Sequence, residues 1–243
     1  MGVTVTAIPC LSDNYAWLLK DEATGTIGLC DPGESAPMIP AIEAAGGKLD
    51  WIILTHHHGD HIDGVADLVA RYGAKVVGAT ADEHRLPKLD QKVVEGDFFS
   101  LGESRARVID TPGHTRGHIA FYFADGGVLL CGDTLFALGC GRLLEGTPAE
   151  MFLSLTKLAA LPSETLVCCG HEYTLSNARY ALTVEPDNAA LQSRAAAAEA
   201  LRAEGKPTVP VTVGQEMAAN PFLRAKDVDT LARIRLGKDN FRG

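Results

Sequence analysis

Four histidines and an aspartate crowd into Thr55-His56-His57-His58-Gly59-Asp60-His61, between the apolar run Trp51-Ile52-Ile53-Leu54 and a helix-like run from Ile62 to Tyr72. Extended backbone sends alternate side chains the same way, so His56 and His58 share a side while His57 faces elsewhere. Asp60 and His61 follow where the chain enters a helix, whose positive end suits an anion. Imidazole nitrogens and a carboxylate at this density make a metal site, and the donor set suits zinc, iron or manganese.

Three later segments repeat the pattern of an apolar strand ending in a donor: Thr111-Pro112-Gly113-His114-Thr115, Gly132-Asp133-Thr134 and Gly170-His171-Glu172-Tyr173. Donors so far apart in sequence meet only if several strand ends open on one edge of a sheet. The remaining histidines fit plainer roles. His118 begins a strand and reads as a structural hydrogen-bonding residue, and His84 lies in the charged surface segment Asp82-Glu83-His84-Arg85. Asp31, in the turn Asp31-Pro32-Gly33, is either a simple turn residue or a carboxylate that orients a ligand histidine.

The elements that must position these donors follow from periodicity. Strands are expected at Val3 to Pro9, Tyr15 to Lys20, Thr26 to Cys30, Lys75 to Gly78, Phe98 to Leu101, Arg105 to Asp110, His118 to Ala124, Val128 to Cys131 and Thr165 to Cys169. Helices are expected at Ala36 to Ala45, Ile62 to Tyr72 and Pro148 to Ala160. Strand series interleaved with helices signal an α/β layered fold with two stacked sheets. After Tyr173 the composition turns to alanine-rich helix, Leu175 to Leu182 and Asn188 to Glu204. A loop containing Pro210 and Pro221, a helix from Asp227 to Leu236 and a basic tail from Arg235 to Arg242 complete the chain.

The 243 residues carry a net charge of −9, which gives no support to nucleic-acid binding. Anionic ligands must then be met by local cations. The six cysteines form no C-x-x-C pair and sit mostly in apolar runs, as buried reduced thiols of a cytoplasmic chain would. No apolar run approaches membrane-spanning length, so no membrane partner is expected.

With His56, His58, Asp60, His61, His114, Asp133 and His171 assembled, the chain resembles metallo-β-lactamase-fold hydrolases, and among them the glyoxalase II (hydroxyacylglutathione hydrolase) family. The likeness runs the full length. It includes Ile8-Pro9-Cys10-Leu11-Ser12-Asp13-Asn14-Tyr15, Gly139-Cys140-Gly141-Arg142, Gly170-His171-Glu172-Tyr173-Thr174, Asn220-Pro221-Phe222-Leu223-Arg224, and Arg235 with Lys238-Asp239 and Phe241.

The resemblance implies a four-layer αββα sandwich, the catalytic domain at 1–173, followed by a small helical glutathione-binding domain at 174–243. It implies two divalent metal ions, zinc foremost with iron or manganese tolerated. One is held by His56, His58 and His114, the other by Asp60, His61 and His171, with Asp133 bridging. Asp60 and Asp133 are thereby cast as catalytic residues too. Arg142, Tyr173, Arg235 and Lys238 are implied to bind glutathione. The implied reaction converts S-D-lactoylglutathione and water to D-lactate and glutathione, as in methylglyoxal detoxification, with the enzyme a cytoplasmic monomer. Where many family members have an aromatic residue two positions after the basic one, this chain has Leu144, which predicts weaker substrate affinity. The rival readings are a persulfide dioxygenase of the same fold, which would consume oxygen with glutathione persulfide, and a non-catalytic metal-binding protein, which would turn over no thioester.

Overall fold

A computed structural model describes residues 2–243. The chain forms two compact units. One takes residues up to Asp110 together with Gly117–Gly132; the other takes Thr111–Arg116 together with Asp133–Gly243.

The first unit begins with β1 (Val3–Cys10), β2 (Asn14–Asp21) and β3 (Ile27–Cys30), an antiparallel meander. Helix α1 (Met38–Ala44) crosses to β4 (Trp51–Ile53). The short α2 (Gly59–Ile62) and α3 (Val65–Tyr72) then lead to β5 (Lys75–Ala79), and β6 (Gln91–Val93) closes a sheet ordered β1-β2-β3-β4-β5-β6. The pairs β3–β4, β4–β5 and β5–β6 are parallel. Parallel strands need crossovers and are covered on both faces. Accordingly β3 is buried along its whole length, and Met38, Ile42 and Leu68 of α1 and α3 pack with Ile27, Leu29 and Ile52 in one core cluster.

β7 (Phe98–Leu101), β8 (Ser104–Asp110), β9 (Ile119–Phe123) and β10 (Val128–Gly132) form an antiparallel run. Phe99 of β7 meets Trp51 of β4 edge to face, with centroids 5.1 Å apart, which joins the two sheets through their inner faces. Asp21, fully buried, accepts hydrogen bonds from Ser104 Oγ and the Glu103 amide, and these donors hold its carboxyl below the usual range.

The second unit holds the small hairpin β11 (Leu135–Phe136) and β12 (Gly139–Cys140), helix α4 (Pro148–Ala159), strand β13 (Leu166–Cys169), and then α5 (Thr174–Val184) and α6 (Ala189–Ala203). Strand β14 (Val211–Thr212), α7 (Val213–Ala219) and α8 (Val228–Asn240) complete it. Thr147 and Glu150 make a reciprocal capping box with a proline at the start of α4, which fixes where that helix begins.

Besides the short strands β6, β11, β12 and β14, which the sequence reading did not expect, three departures stand out. The helix expected from Ile62 to Tyr72 is interrupted, because Gly64 lies against the backbone of Pro32 and Glu34 and its amide donates to the Pro32 carbonyl at 3.0 Å; a Cβ there would collide with both. The loop around Pro210 contains α7, whose start is set by the Thr212–Gln215 capping box. The basic tail is mostly helix: α8 continues to Asn240, so Arg235, Lys238 and Asp239 lie at helical spacings of three and four.

Candidate metal centre and substrate cavity

In the first unit the chain leaves β4 at Thr55 and turns into α2 at Gly59, and this turn carries the four-histidine loop. His56 and His61 are buried, with ring centroids 4.2 Å apart. Asp31, His56 and His61 each bring a ligand atom within 4.8 Å of the others. Asp31 organises the loop. Its Oδ1 accepts the Thr55 amide at 2.9 Å, and its Oδ2 accepts the Thr55 hydroxyl at 2.6 Å and faces His61 Nδ1 at 3.1 Å. Of its two sequence readings, the geometry selects the orienting carboxylate.

These contacts assign tautomers. His61 Nδ1 carries its proton toward Asp31, which makes Nε2 the unprotonated nitrogen of the neutral ring and the candidate ligand atom. Because the Thr55 hydroxyl already donates to Asp31, its oxygen accepts from His56 Nδ1 at 3.1 Å, and His56 Nε2 is also left as a lone pair. That Nε2 faces His58 Nδ1 at 3.1 Å. Such a separation is close to the edge of a tetrahedron with metal–nitrogen bonds of about 2.0–2.1 Å. His57 points away, as expected, toward the buried Asp82 at 3.1 Å. His118 stacks on His56 with planes 24° apart, and His84 is exposed.

The second unit carries the other predicted ligands. His114 Nδ1 donates to the Arg142 carbonyl at 2.8 Å, so its Nε2 is likewise unprotonated. Asp133 Oδ2 lies 3.5 Å from that Nε2 and 3.3 Å from His171 Nε2. One carboxylate oxygen facing two imidazole nitrogens suits a bridging ligand. Gly141 passes against the Asp133 carbonyl so closely that no Cβ fits. The donor set therefore fits divalent ions, with several ring nitrogens freed of protons by a second hydrogen bond.

A cavity of about 420 Å³ in this unit is lined by His114 and Asp133 and by all four predicted glutathione contacts, Arg142, Tyr173, Arg235 and Lys238. Asp239 and Arg242 line it too. Arg142 is exposed, whereas Arg235 is only 6 % exposed and donates to the Cys140 carbonyl at 2.6 Å and to Asp239 at 2.9 Å. Lys238 Nζ donates to the Ser176 carbonyl and hydroxyl at 2.9 and 2.7 Å. Burial, reinforced by Arg235, Arg179 and Arg142, lowers Lys238 to about 8. Behind the cavity, the β11–β12 hairpin is clamped by two buried residues of α7 and its end. Glu216 Oε2 accepts the Leu138 amide and Asn220 Nδ2 at 2.7 and 2.9 Å, and Asn220 Nδ2 also reaches the Phe136 and Gly139 carbonyls.

Sequence reasoning did not single out Ser176, Arg242, the Glu216 clamp, or Asn14, which donates to Asp60. Asn14 and Asn220 stood in motifs that marked the resemblance, and an asparagine at a strand or helix end was the available signal.

Residues 12–171 match the family described as Metallo-beta-lactamase superfamily, and residues 172–241 match Hydroxyacylglutathione hydrolase C-terminus. The Hydroxyacylglutathione hydrolase of Acidiphilium cryptum is 56% identical over 240 residues, covering 99% of this chain and 98% of the relative. That of Ruegeria pomeroyi is 51% identical, covering 99% and 100%. The chain belongs to the hydroxyacylglutathione hydrolase family. Among solved structures, ETHE1 from Myxococcus xanthus is similar at a TM-score of 0.72 and 25% identity, covering 100% of this chain and 92% of that one. The expected fold, a metallo-β-lactamase sandwich with a helical C-terminal region, stands. Hydroxyacylglutathione hydrolases of this length match end to end, so the family assignment extends to the C-terminal segment that carries Arg235 and Lys238. Among the described residues no helix is long and apolar enough to cross a membrane.

Proposed function

We propose that the chain hydrolyses thioesters between glutathione and a 2-hydroxyacid, S-D-lactoylglutathione foremost, releasing D-lactate and glutathione. The observation that carries this reading is the single cavity that joins the ligand pair His114 and Asp133 to a cluster of basic side chains in an acidic protein. In this reading 1–173 is the catalytic domain and 174–243 binds glutathione. The enzyme acts as a cytoplasmic monomer, without nucleic-acid partners.

His56, His58 and His114 would hold one divalent ion, and Asp60, His61 and His171 the other, with Asp133 shared. Zinc is the first candidate, and iron or manganese suit the same donors. Such a pair supplies Lewis acidity toward the thioester carbonyl and acidifies water toward neutrality.

The chain's own side chains do the rest. Asp31, Thr55 and the Arg142 carbonyl keep protons on the outer nitrogens of His61, His56 and His114, so that the inner ones stay basic. Arg142 and Lys238 take the peptide carboxylates of glutathione, the first as a planar fork and the second as a compact charge. Arg235, tied to Cys140 and Asp239, adds positive potential from beneath. Tyr173 lies beside His171 at the cavity wall, where the ligand end and the peptide end of the substrate meet. A thiol of pKa about 8.5 leaves as thiolate, so no side chain is needed to protonate it.

Hydrolysis of S-D-lactoylglutathione by purified protein, with parallel metal analysis, tests the reading. Turnover with two bound equivalents is expected, and both turnover and metal should fall in Asp133→Ala. An Asp133→Ala protein that kept both metals and full turnover would remove Asp133 from the site. Oxygen uptake with glutathione persulfide in place of thioester cleavage would replace the reaction itself.

A further inference from the structure

The two donors contributed by α2 are supported very differently. His61 is buried and locked by Asp31, whereas the Asp60 side chain is 42 % exposed. An exposed aspartate samples several rotamers, and ordering it on ligation costs entropy. One buried side chain opposes that freedom. Asn14, 5 % exposed, donates through Nδ2 to Asp60 Oδ2 at 3.0 Å and to the Asp60 carbonyl at 3.1 Å. The oxygen it holds is the one that faces His61 Nε2, 3.6 Å away.

Asn14 is itself well anchored. It pairs with Cys10 at the closed end of the β1–β2 hairpin, and the preceding Leu11, in the left-handed region at φ 50°, donates its amide to Glu34 at 2.6 Å. The hairpin end is thus tied to the chain beyond β3 and delivers one amide group to the α2 carboxylate.

We propose that Asn14 is a positioning residue that holds the Asp60 carboxylate in its ligating orientation and so sets the affinity of one metal of the pair. The inference rests on the dinuclear reading above. Hydrogen-bond partners of metal ligands typically affect affinity by about 10- to 100-fold. Loss of the Asn14 donor should therefore weaken one equivalent by about that factor and spare the other. Replacement by aspartate should do at least as much, since it sets a carboxylate against the Asp60 oxygens.

Zinc titration in competition with a chromophoric chelator tests this on the full chain, comparing wild type, Asn14→Ala and the isosteric Asn14→Asp, with circular dichroism as the check on folding. The expected result is two tight equivalents in wild type and, in both folded variants, one unchanged and one weakened. Two unchanged equivalents, or equal weakening of both, would overturn the proposal. So would unfolding of both variants, which would assign Asn14 to closing the hairpin rather than to Asp60. A wild-type protein that bound no zinc would fail differently, by sinking the metal reading on which the inference stands.

Discussion

The ring of Tyr173 lies flat on that of His171, with planes 4° apart and centroids 4.6 Å apart. Phe136 closes the same group edge-on, 5.9 Å from His171. Aromatic pairs of this kind are worth about 0.5–1.5 kcal/mol beyond their buried area. In the proposed site Tyr173 would therefore serve two ends at once, steadying the His171 ring and lining the cavity. Tyr173→Phe should keep metal content and kcat while raising KM. Tyr173→Ala should also lower metal affinity, by about ten-fold or more, read by chelator competition. Identical metal binding in both variants would show that the stack does not steady His171.

Lys238 is expected to give the reaction an alkaline limit. Its ammonium binds a carboxylate only while protonated, and its pKa lies near 8 because it is partly buried among arginines. Since kcat/KM reports ionisations of the free enzyme, it should fall as pH rises through about 8. Arginine stays charged at all relevant pH. Lys238→Arg should therefore shift that fall to higher pH, whereas Lys238→Met should show raised KM throughout. Superimposable wild-type and Lys238→Arg profiles would rule Lys238 out as the titrating group.

Glu216 makes a stability prediction. Burial raises its pKa from 4.5 to about 7 in the folded protein, above the unfolded value. The folded state therefore holds the proton more tightly, and the contribution is intact below about 4.5 and lost as pH rises through about 7. Both its hydrogen bonds are accepted by the same oxygen, Oε2, and a glutamine carbonyl reproduces them. Glu216→Gln should be more stable than wild type at pH 8, by an amount on the order of 1–3 kcal/mol, and should lose that advantage at pH 4.5. Urea unfolding at the two pH values measures the difference; an advantage independent of pH would separate the effect from ionisation.

Leu144 is 59 % exposed, two residues beyond Arg142. Leu144→Tyr adds a hydroxyl at this exposed position. One added hydrogen bond is worth about 0.5–1.5 kcal/mol, so KM for the thioester should fall by about two- to ten-fold with kcat unchanged. Equal Michaelis constants would mean that Leu144 does not limit affinity.

The candidate donors were legible in the sequence because they follow rules over a few residues: alternation places His56 and His58 together, and each later donor follows an apolar strand. Most strands and helices were legible for the same reason. What pattern cannot see is contact between distant segments. The break at Gly64 is caused by Pro32 and Glu34, about thirty residues earlier, and nothing in the Ile62 to Tyr72 periodicity reports it. Asn14 looked like a turn residue because its partner, Asp60, lies 46 residues on. Arg235 was read as a glutathione contact through the resemblance, and nothing in the local sequence reports that folding commits it to the Cys140 carbonyl and Asp239. Helix α7 was hidden by its shortness and by Gly214, although the Thr212 and Gln215 pair was there to be read.

All six cysteines are buried, and burial pushes the Cys10 and Cys140 thiols up to about 11 and Cys169 to about 12. A catalyst whose product is itself a sulfhydryl compound thus offers that product no accessible thiol of its own. Incubation with glutathione disulfide should leave the folded chain's mass unchanged, so that swings in the ratio of oxidised to reduced tripeptide pass over the enzyme without tagging it.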